Sequence, residues 1–247
     1  MSTEAPAASD PDARPSLSVV MPGLNEEAGI ETAVRKMRAG LEGCVDEFEI
    51  VVIDDGSRDR TGEIADGLAR EDPRVRVIHN ERNVNYGVSL VRGIAAARCD
   101  WILHDGMDLP LAPEDLSRFV ARFGEADVVV ARRRDKAAHS PWRIVTSEVN
   151  GLLLRLLFAP PVRDLNFVQF YRRSWVQSID VRSTSPAFVT PELILRAAHT
   201  GHRVCEVEAE FRRRETGKPH FGRPKDILWT LRDMLALRLH TWLRGWS

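Results

Sequence analysis

Residues 49–61 read EIVVIDDGSRDRT: a branched apolar run from Glu49 to Ile53, the turn Asp54-Asp55-Gly56-Ser57, and then Asp59, which opens helical spacing as far as Arg70. Valine and isoleucine without polar alternation suit a strand covered on both faces. An acidic, glycine-bearing turn between such a strand and a helix start is the repeating unit of an open α/β sheet. The same order recurs on either side of it. Residues 17–21, 75–78, 101–104 and 127–131 read as further buried strands. Residues 26–41, 86–98 and 113–123 carry apolar side chains at three- and four-residue spacing, and Asn25, Asp59 and Pro113-Glu114-Asp115 supply helix starts.

Strand and helix in alternation predict a doubly wound, mostly parallel α/β sheet of Rossmann-like type. Downstream the pattern is less regular, with helices expected over 142–158 and 191–199 and strands over 167–171 and 203–211. Residues 1–16, rich in Pro and Asp and lacking an apolar segment, read as a disordered leader. The domain proper then covers 17–222, and 223–247 forms a C-terminal amphipathic helical tail.

The chain has 247 residues, 43% apolar and 29% charged, with 35 basic against 36 acidic residues. That length is enough for one well-buried core. A net charge of −1 argues against a nucleic-acid partner, which would need a basic face. The three cysteines, Cys44, Cys99 and Cys205, are widely spaced and suggest neither disulfides nor a zinc site, which fits a cytoplasmic setting. No stretch reaches the roughly 18 to 20 apolar residues of a membrane span. His199 and His202 read as surface residues without a third ligand, and Cys99 as core.

In an open α/β sheet, ligands sit beyond the C-terminal strand ends, so the loops after Met21, Ile53 and His104 carry the chemistry. A carboxylate at such an end accepts hydrogen bonds from a ribose or a base, and glycine admits close backbone approach. Against this, DDGSRD alone is equally an Asx-type turn leading into a helix cap. In His104-Asp105-Gly106-Met107-Asp108 two carboxylates leave one strand end. They suit Mg²⁺ or Mn²⁺ against a diphosphate, or else form a solvated acidic loop. GxGxxG and P-loop patterns are absent, which disfavours a dinucleotide oxidoreductase or a kinase.

Taken in order, residues 20–27 (VMPGLNEE) and 53–61 (IDDGSRDRT) resemble the P-x-Y-N-E and V-D-D-G-S-x-D-x-T signatures of family 2 glycosyltransferases of GT-A fold. The likeness is strongest to dolichol-phosphate mannose synthases and other polyprenyl-phosphate glycosyltransferases. It extends through Asn83 to Gly87, Asp105 to Glu114, Ala131-Arg132-Arg133, Arg163-Asp164, Phe170 to Arg173 and Arg214 to Gly222. The resemblance implies that Pro22, Leu24, Glu26, Ile53, Asp54 and Asp55 line the base and ribose site. It implies that Asp105 and Asp108 hold the metal, that Arg133 faces phosphates, and that Arg214, Lys218 and His220 belong to a segment closing over the diphosphate. The chain departs from the family pattern where Leu24 replaces a tyrosine, Gly106 the first acid of DxD, Pro110 a glutamine, Asn166-Phe167-Val168 an SGF, and His220 a lysine.

An alcohol acceptor needs a base, for which Asp164 is the candidate; a phosphate monoester is mostly dianionic at neutral pH and needs only cations. Arg132-Arg133-Arg134, Arg143, Arg163, Arg172 and Arg173 could supply them, although solvated charge at helix ends accounts for many such arginines. In the tail, Leu228, Leu231, Leu235, Leu239, Trp242 and Trp246 fall on one helical stripe, flanked by Arg232 and Arg238 with Arg244 opposite. That stripe either lies on a membrane surface or docks on its own domain or in a homodimer. The run 152–158 could form a second interfacial surface, with core packing the expected fate.

The leading expectation is therefore an inverting transferase that moves a hexose from a GDP- or UDP-sugar to a polyprenyl phosphate, peripheral to the inner face of a membrane. The alternatives are a soluble transferase acting on a small hydroxylated metabolite and a catalytically silent nucleotide-sugar-binding partner; the expected catalytic residues are Asp108 and Arg133, with Asp164 as the base where the acceptor is an alcohol.

Overall fold

The computed structural model describes residues 15–107, 109–134, 141–210 and 224–246. The strands are β1 (Leu17–Gly23), β2 (Phe48–Asp54), β3 (Val75–His79), β4 (Trp101–His104), β5 (Val128–Arg133), β6 (Gln169–Arg172) and β7 (Val204–Ala209). The helices are α1 (Ile30–Glu42), α2 (Thr61–Glu71), α3 (Tyr86–Ala96), α4 (Leu116–Val120), α5 (Pro141–Phe158), α6 (Arg173–Val176), α7 (Val189–His199) and α8 (Pro224–Arg244). The seven strands form one sheet in the order β3-β2-β1-β4-β6-β5-β7. All neighbours are parallel except β6, which runs antiparallel to both β4 and β5.

Alternate residues of each central strand enter opposite cores, which explains the unbroken apolar runs. Leu17, Val19 and Met21 of β1 and Ile50 and Val52 of β2 pack beneath α1, α2 and α4. Val20, Val51 and Ile53 pack on the other face with Leu90 and Ile94 of α3, Leu154 of α5, Leu193 of α7 and Met234 of α8. Gly93 brings α3 so near β1 that a Cβ there would lie 2.2 Å from Val20 Cγ1.

Several boundaries differ from those read in the sequence. Helix α1 starts at Ile30 rather than Glu26: Asn25 is left-handed at φ 54°, Gly29 leaves helical geometry at φ −124°, and the amides of Asn25, Glu26 and Glu27 bond across to residues 57–61. Residues 113–123 split into a 3₁₀ turn, Pro113–Asp115, and the short α4. Ser16, assigned to the leader, belongs to the fold: its hydroxyl bonds to Asp100 and its carbonyl accepts from the Trp101 amide. Phe211 and residues 1–14 lie outside the described residues.

The tail is integrated on one face only. Thr230, Asp233, Met234, Leu237 and Thr241 are buried, and Asp233 accepts the amides of Thr184 and Ser185 at 2.9 and 2.8 Å. Leu228, Leu235, Leu239 and Trp242, the stripe expected to dock on the domain under one reading, are instead 56–74% exposed. The face that turns inward carries Thr230, Asp233 and Thr241 beside Met234 and Leu237, which join the core cluster shared with α5 and α7. Trp246 departs from that stripe and stacks on His199, with ring centroids 4.0 Å apart. On α5, Leu154 and Phe158 enter the core while Val149, Leu152 and Leu156 stay exposed, so only half of the 152–158 run packs as expected. No helix among the described residues is long and apolar enough to cross a membrane.

Candidate active site

The sheet changes direction between β1 and β4, since β2 and β3 extend one way from β1 and the remaining strands the other. At such a switch point the loops part and leave a crevice beyond the strand ends. Main-chain bonds tie the loops that border it: the Asp55 amide to Gly23 O, the Asn80 amide to Asp54 O and the Asp105 amide to Val20 O, each 2.9–3.1 Å.

Five hydrogen bonds zip the β1 loop to the β2 loop. The amides of Asn25, Glu26 and Glu27 donate to Ser57 Oγ, Thr61 Oγ1 and Asp59 Oδ2, and the amides of Arg58 and Arg60 donate to Asn25 Oδ1 and Glu27 Oε2. The conspicuous polar residues of both loops are therefore spent on holding the crevice open in one shape. Asp54 is 6% exposed and its Oδ1 accepts the Ser57 amide, so the Asx-type turn expected of DDGS is present. Asp55 is 4% exposed, and its Oδ1 accepts both Asn80 Nδ2 and the Val84 amide at 2.9 Å. Those bonds fix the carboxylate and direct its second oxygen away from them. Gly56, at φ +71°, permits the turn; a Cβ there would meet the Arg82 carbonyl carbon at 2.5 Å.

Asn80 was not singled out in the sequence, yet it is the buried hub of this corner. It also donates to Ser89 Oγ at 2.8 Å and accepts from Arg92 Nη1. Its only signal was a polar side chain placed directly after β3.

The remaining base-site candidates fall out unequally. Pro22 is buried and Leu24 half-buried at the β1 end, and Glu26 is 7% exposed behind the loop zip. Ile53 is fully buried beneath Gly93 of α3, so only its main chain can face a ligand.

At β4, His104 is fully enclosed, its Nδ1 lies 3.4 Å from Tyr86 Oη, and its Nε2 meets no hydrogen-bond partner. Burial pushes its pKa down to about 3, so the ring stays neutral. Asp105 follows it, 1% exposed, with Oδ1 accepting the Gly106 amide. The turn tightens through Leu109 N to Gly106 O, and Met107 inserts against Gly23, where a Cβ would lie 2.1 Å from its Sδ. The second metal candidate, Asp108, lies outside the described residues, as do Arg214, Lys218 and His220. Among the described residues no three His, Cys, Asp or Glu side chains cluster as a complete metal site. One buried carboxylate at a strand end still fits a hard cation that takes its other ligands from phosphates and water.

At the end of β5, Arg133 and Asp164 are joined: Nε and Nη2 donate to the two carboxylate oxygens at 2.7 and 2.9 Å. The guanidinium lies over the Phe167 ring at 5.3 Å. Glu206 accepts the amides of Arg163 and Asp164 and holds that loop to β7. Both oxygens of Asp164 are thus engaged by Arg133. Arg132 and Arg134 pair with Glu208, and Arg172 and Arg173 are held by Asp127 and Cys99 O, so the arginine cluster divides into separate partnerships.

Residues 18–179, most of this arrangement, match the glycosyl transferase family 2 pattern. The chain belongs to that family. As a family 2 member it is 32% identical over 235 residues to glycosyltransferase AglD of Haloferax volcanii, covering 92% of this chain and 37% of that protein. It is 30% identical to the undecaprenyl-phosphate 4-deoxy-4-formamido-L-arabinose transferase of Pseudomonas paraeruginosa, covering 83% and 60%. It is also 30% identical to polyprenol monophosphomannose synthase of Mycolicibacterium smegmatis, covering 81% and 78%. The chain thus spans less than two thirds of each of the first two relatives, and little more than a third of the first. The fold of this family 2 chain matches glucosyl-3-phosphoglycerate synthase of Mycobacterium tuberculosis with a TM-score of 0.69 and 22% identity, over 90% of this chain and 79% of that one. The expected GT-A class is borne out.

Proposed function

We propose that this chain moves a hexose, of mannose or glucose type, from a GDP- or UDP-linked donor to a polyprenyl phosphate at a membrane surface, inverting the anomeric carbon. The observation that carries this reading is the outward apolar face of α8, set on a family 2 domain: Leu228, Leu235, Leu239, Trp242 and Leu243 are each at least 56% exposed. Exposed Arg232 and Arg238 on the same helix suit an anionic lipid surface. A bilayer that covers this face presents the acceptor to the same molecule, whereas a second copy of the chain would cover it without supplying an acceptor.

In the crevice, Asp55 would accept from the base or ribose and the β1 loop would frame the nucleotide. Asp105 with Asp108 would hold Mg²⁺ or Mn²⁺, which neutralises charge on the leaving diphosphate. Arg133, aimed by Asp164 and stacked on Phe167, would hold the acceptor phosphate. A dianionic phosphate attacks without a base, so committing Asp164 to Arg133 favours a phosphate acceptor over an alcohol. Arg214, Lys218 and His220 remain the candidates for closing over the diphosphate.

The test offers labelled GDP-mannose, UDP-glucose and related donors with polyprenyl phosphate in liposomes and either metal, and scores label extracted into organic solvent. Lipid-soluble label supports the proposal and names the donor. A second reading, a small hydroxylated acceptor, is favoured by Asn166, which is exposed beside the Arg133–Asp164 pair. It predicts label that stays in water and is covalently attached to an added metabolite.

A further inference from the structure

One histidine near the donor crevice is held in a way that the transfer chemistry does not require. His79 ends β3 in register with Asp54 at the end of β2. Its Nδ1 lies 3.1 Å from Asp54 Oδ2, and its Nε2 lies 3.0 Å from Asp66 Oδ1 on α2. Gly62, in the first turn of α2, leaves the room for this approach: a Cβ there would lie 2.7 Å from Asp54 Oδ2 and 3.2 Å from His79 Cε1. Asp54 is thereby gripped on both oxygens, by the Ser57 amide and by the imidazole.

A neutral imidazole has one N–H and one lone pair, so it can serve only one of two facing carboxylates and must turn its lone pair toward the other. An imidazolium donates to both. The charged groups that face the ring are Asp66 from α2 and Asp54 from β2, and both favour the cation. Hydrogen bonding to Asp66, then to Asp54, holds the His79 pKa above the ordinary histidine range against the opposing effect of burial. When the proton leaves, one of the two carboxylates faces the ring's lone pair, and in either tautomer Asp54 loses the compensating charge. The DDGS turn that carries Asp55 then faces an incoming diphosphate with one more net negative charge.

We propose that His79 is a positioning residue of the donor site: as an imidazolium clamped between Asp66 and Asp54 it steadies the Asp54–Ser57 turn and offsets its charge, so that nucleoside-diphosphate affinity falls when His79 loses its proton. The inference rests on the reading of the crevice as the donor site. His79 touches no reacting atom in this scheme, and Asp66, with its side chain 47% exposed, lies outside the pocket.

The test measures UDP and GDP affinity by calorimetry from pH 5.5 to 9 on the full chain, alongside the His79 ring resonance by NMR. Wild type, Asp66→Asn and His79→Gln are compared at each pH, which cancels titration of the nucleotide's own terminal phosphate near pH 6. The wild type is expected to lose affinity roughly three- to tenfold across the His79 midpoint, the scale of one ordinary net hydrogen bond. Asp66→Asn is expected to move the NMR midpoint and the affinity step together to lower pH. His79→Gln, which keeps one donor toward Asp54, is expected to remove the step. If the NMR midpoint moves in Asp66→Asn while the affinity profile matches wild type, His79 is only structural and the proposal is overturned. Flat affinity across the wild-type midpoint overturns it as well. Failure of both nucleotides to bind at every pH overturns the donor-site reading itself, and the proposal with it.

Discussion

Replacing Asp164 with Asn keeps the side-chain shape but removes the charge that Arg133 grips with two nitrogens at 2.7 and 2.9 Å. The side chains are 17% and 5% exposed, so the guanidinium left behind is largely cut off from water. Breaking one side of a buried pair typically costs 3 to 5 kcal/mol, and the partial exposure of Arg133 with the remaining amide acceptor brings this to about 2–4 kcal/mol. For a domain of this size that corresponds to roughly 5–12 °C in Tm. The internal comparison is Glu208→Gln, a carboxylate 45% exposed that pairs with Arg132 and the exposed Arg134, whose loss is expected to cost about 1 kcal/mol or less. Thermal unfolding followed by circular dichroism, on both variants and on the double variant Arg133→Gln/Asp164→Asn, decides the matter. The double variant should recover part of the loss, because no unpaired charge then remains. If Asp164→Asn unfolds within a degree or two of Glu208→Gln, the pair is not the buried anchor argued above, and a catalytic role for Asp164 regains its place.

Three further outcomes follow from the same structure. Trp242→Ser with Leu239→Ser removes two outward side chains, 74% and 56% exposed, and is expected to weaken sedimentation with anionic liposomes at least tenfold while leaving Tm unchanged; unchanged sedimentation would point to another occupant of that face. Gly93→Ala forces a Cβ to within 2.2 Å of Val20 Cγ1, so α3 must lift from β1 at a cost of roughly 1–3 kcal/mol; urea midpoints would show it, and an unshifted midpoint would contradict the packing. Asp72 is held at about pKa 2, chiefly by its hydrogen bond from Arg74. The folded-state value lies below the unfolded one, so its stabilisation of about 2 kcal/mol is full above roughly pH 5 and is lost as pH falls toward 2. Acid unfolding curves for wild type and Asp72→Asn should therefore converge at low pH, and parallel curves would refute the assignment.

Much of the sheet could be read from the chain alone because its causes are local. The runs at 17–21, 49–53 and 101–104 are apolar at all but one position each, Ser18, Glu49 and His104, because both faces are covered, and glycine and acidic turns mark where each one ends. The crevice was legible for the same reason, since the DDGS and HDGMD segments follow those strands directly. What each polar side chain does there was not legible. Asn25, Glu27, Ser57 and Thr61 bond across loops 32 to 35 residues apart, Asn80 reaches Asp55 across 25, and Arg133 finds Asp164 across 31. The antiparallel insertion of β6 and the pinning of His79 between α2 and β2 depend likewise on which elements become neighbours.

The tail shows the division most clearly. Its sequence determined an amphipathic helix, because spacing along one helix sets which residues share a face. Only the tertiary structure decided which face turns inward: Asp233 caps the amides of residues 184 and 185 while Met234 and Leu237 join the core cluster shared with α5 and α7, and the leucine and tryptophan stripe is left outside. A helix specifies its own stripes from neighbouring residues, whereas the surface that will receive one of them is assembled from segments far away in the chain.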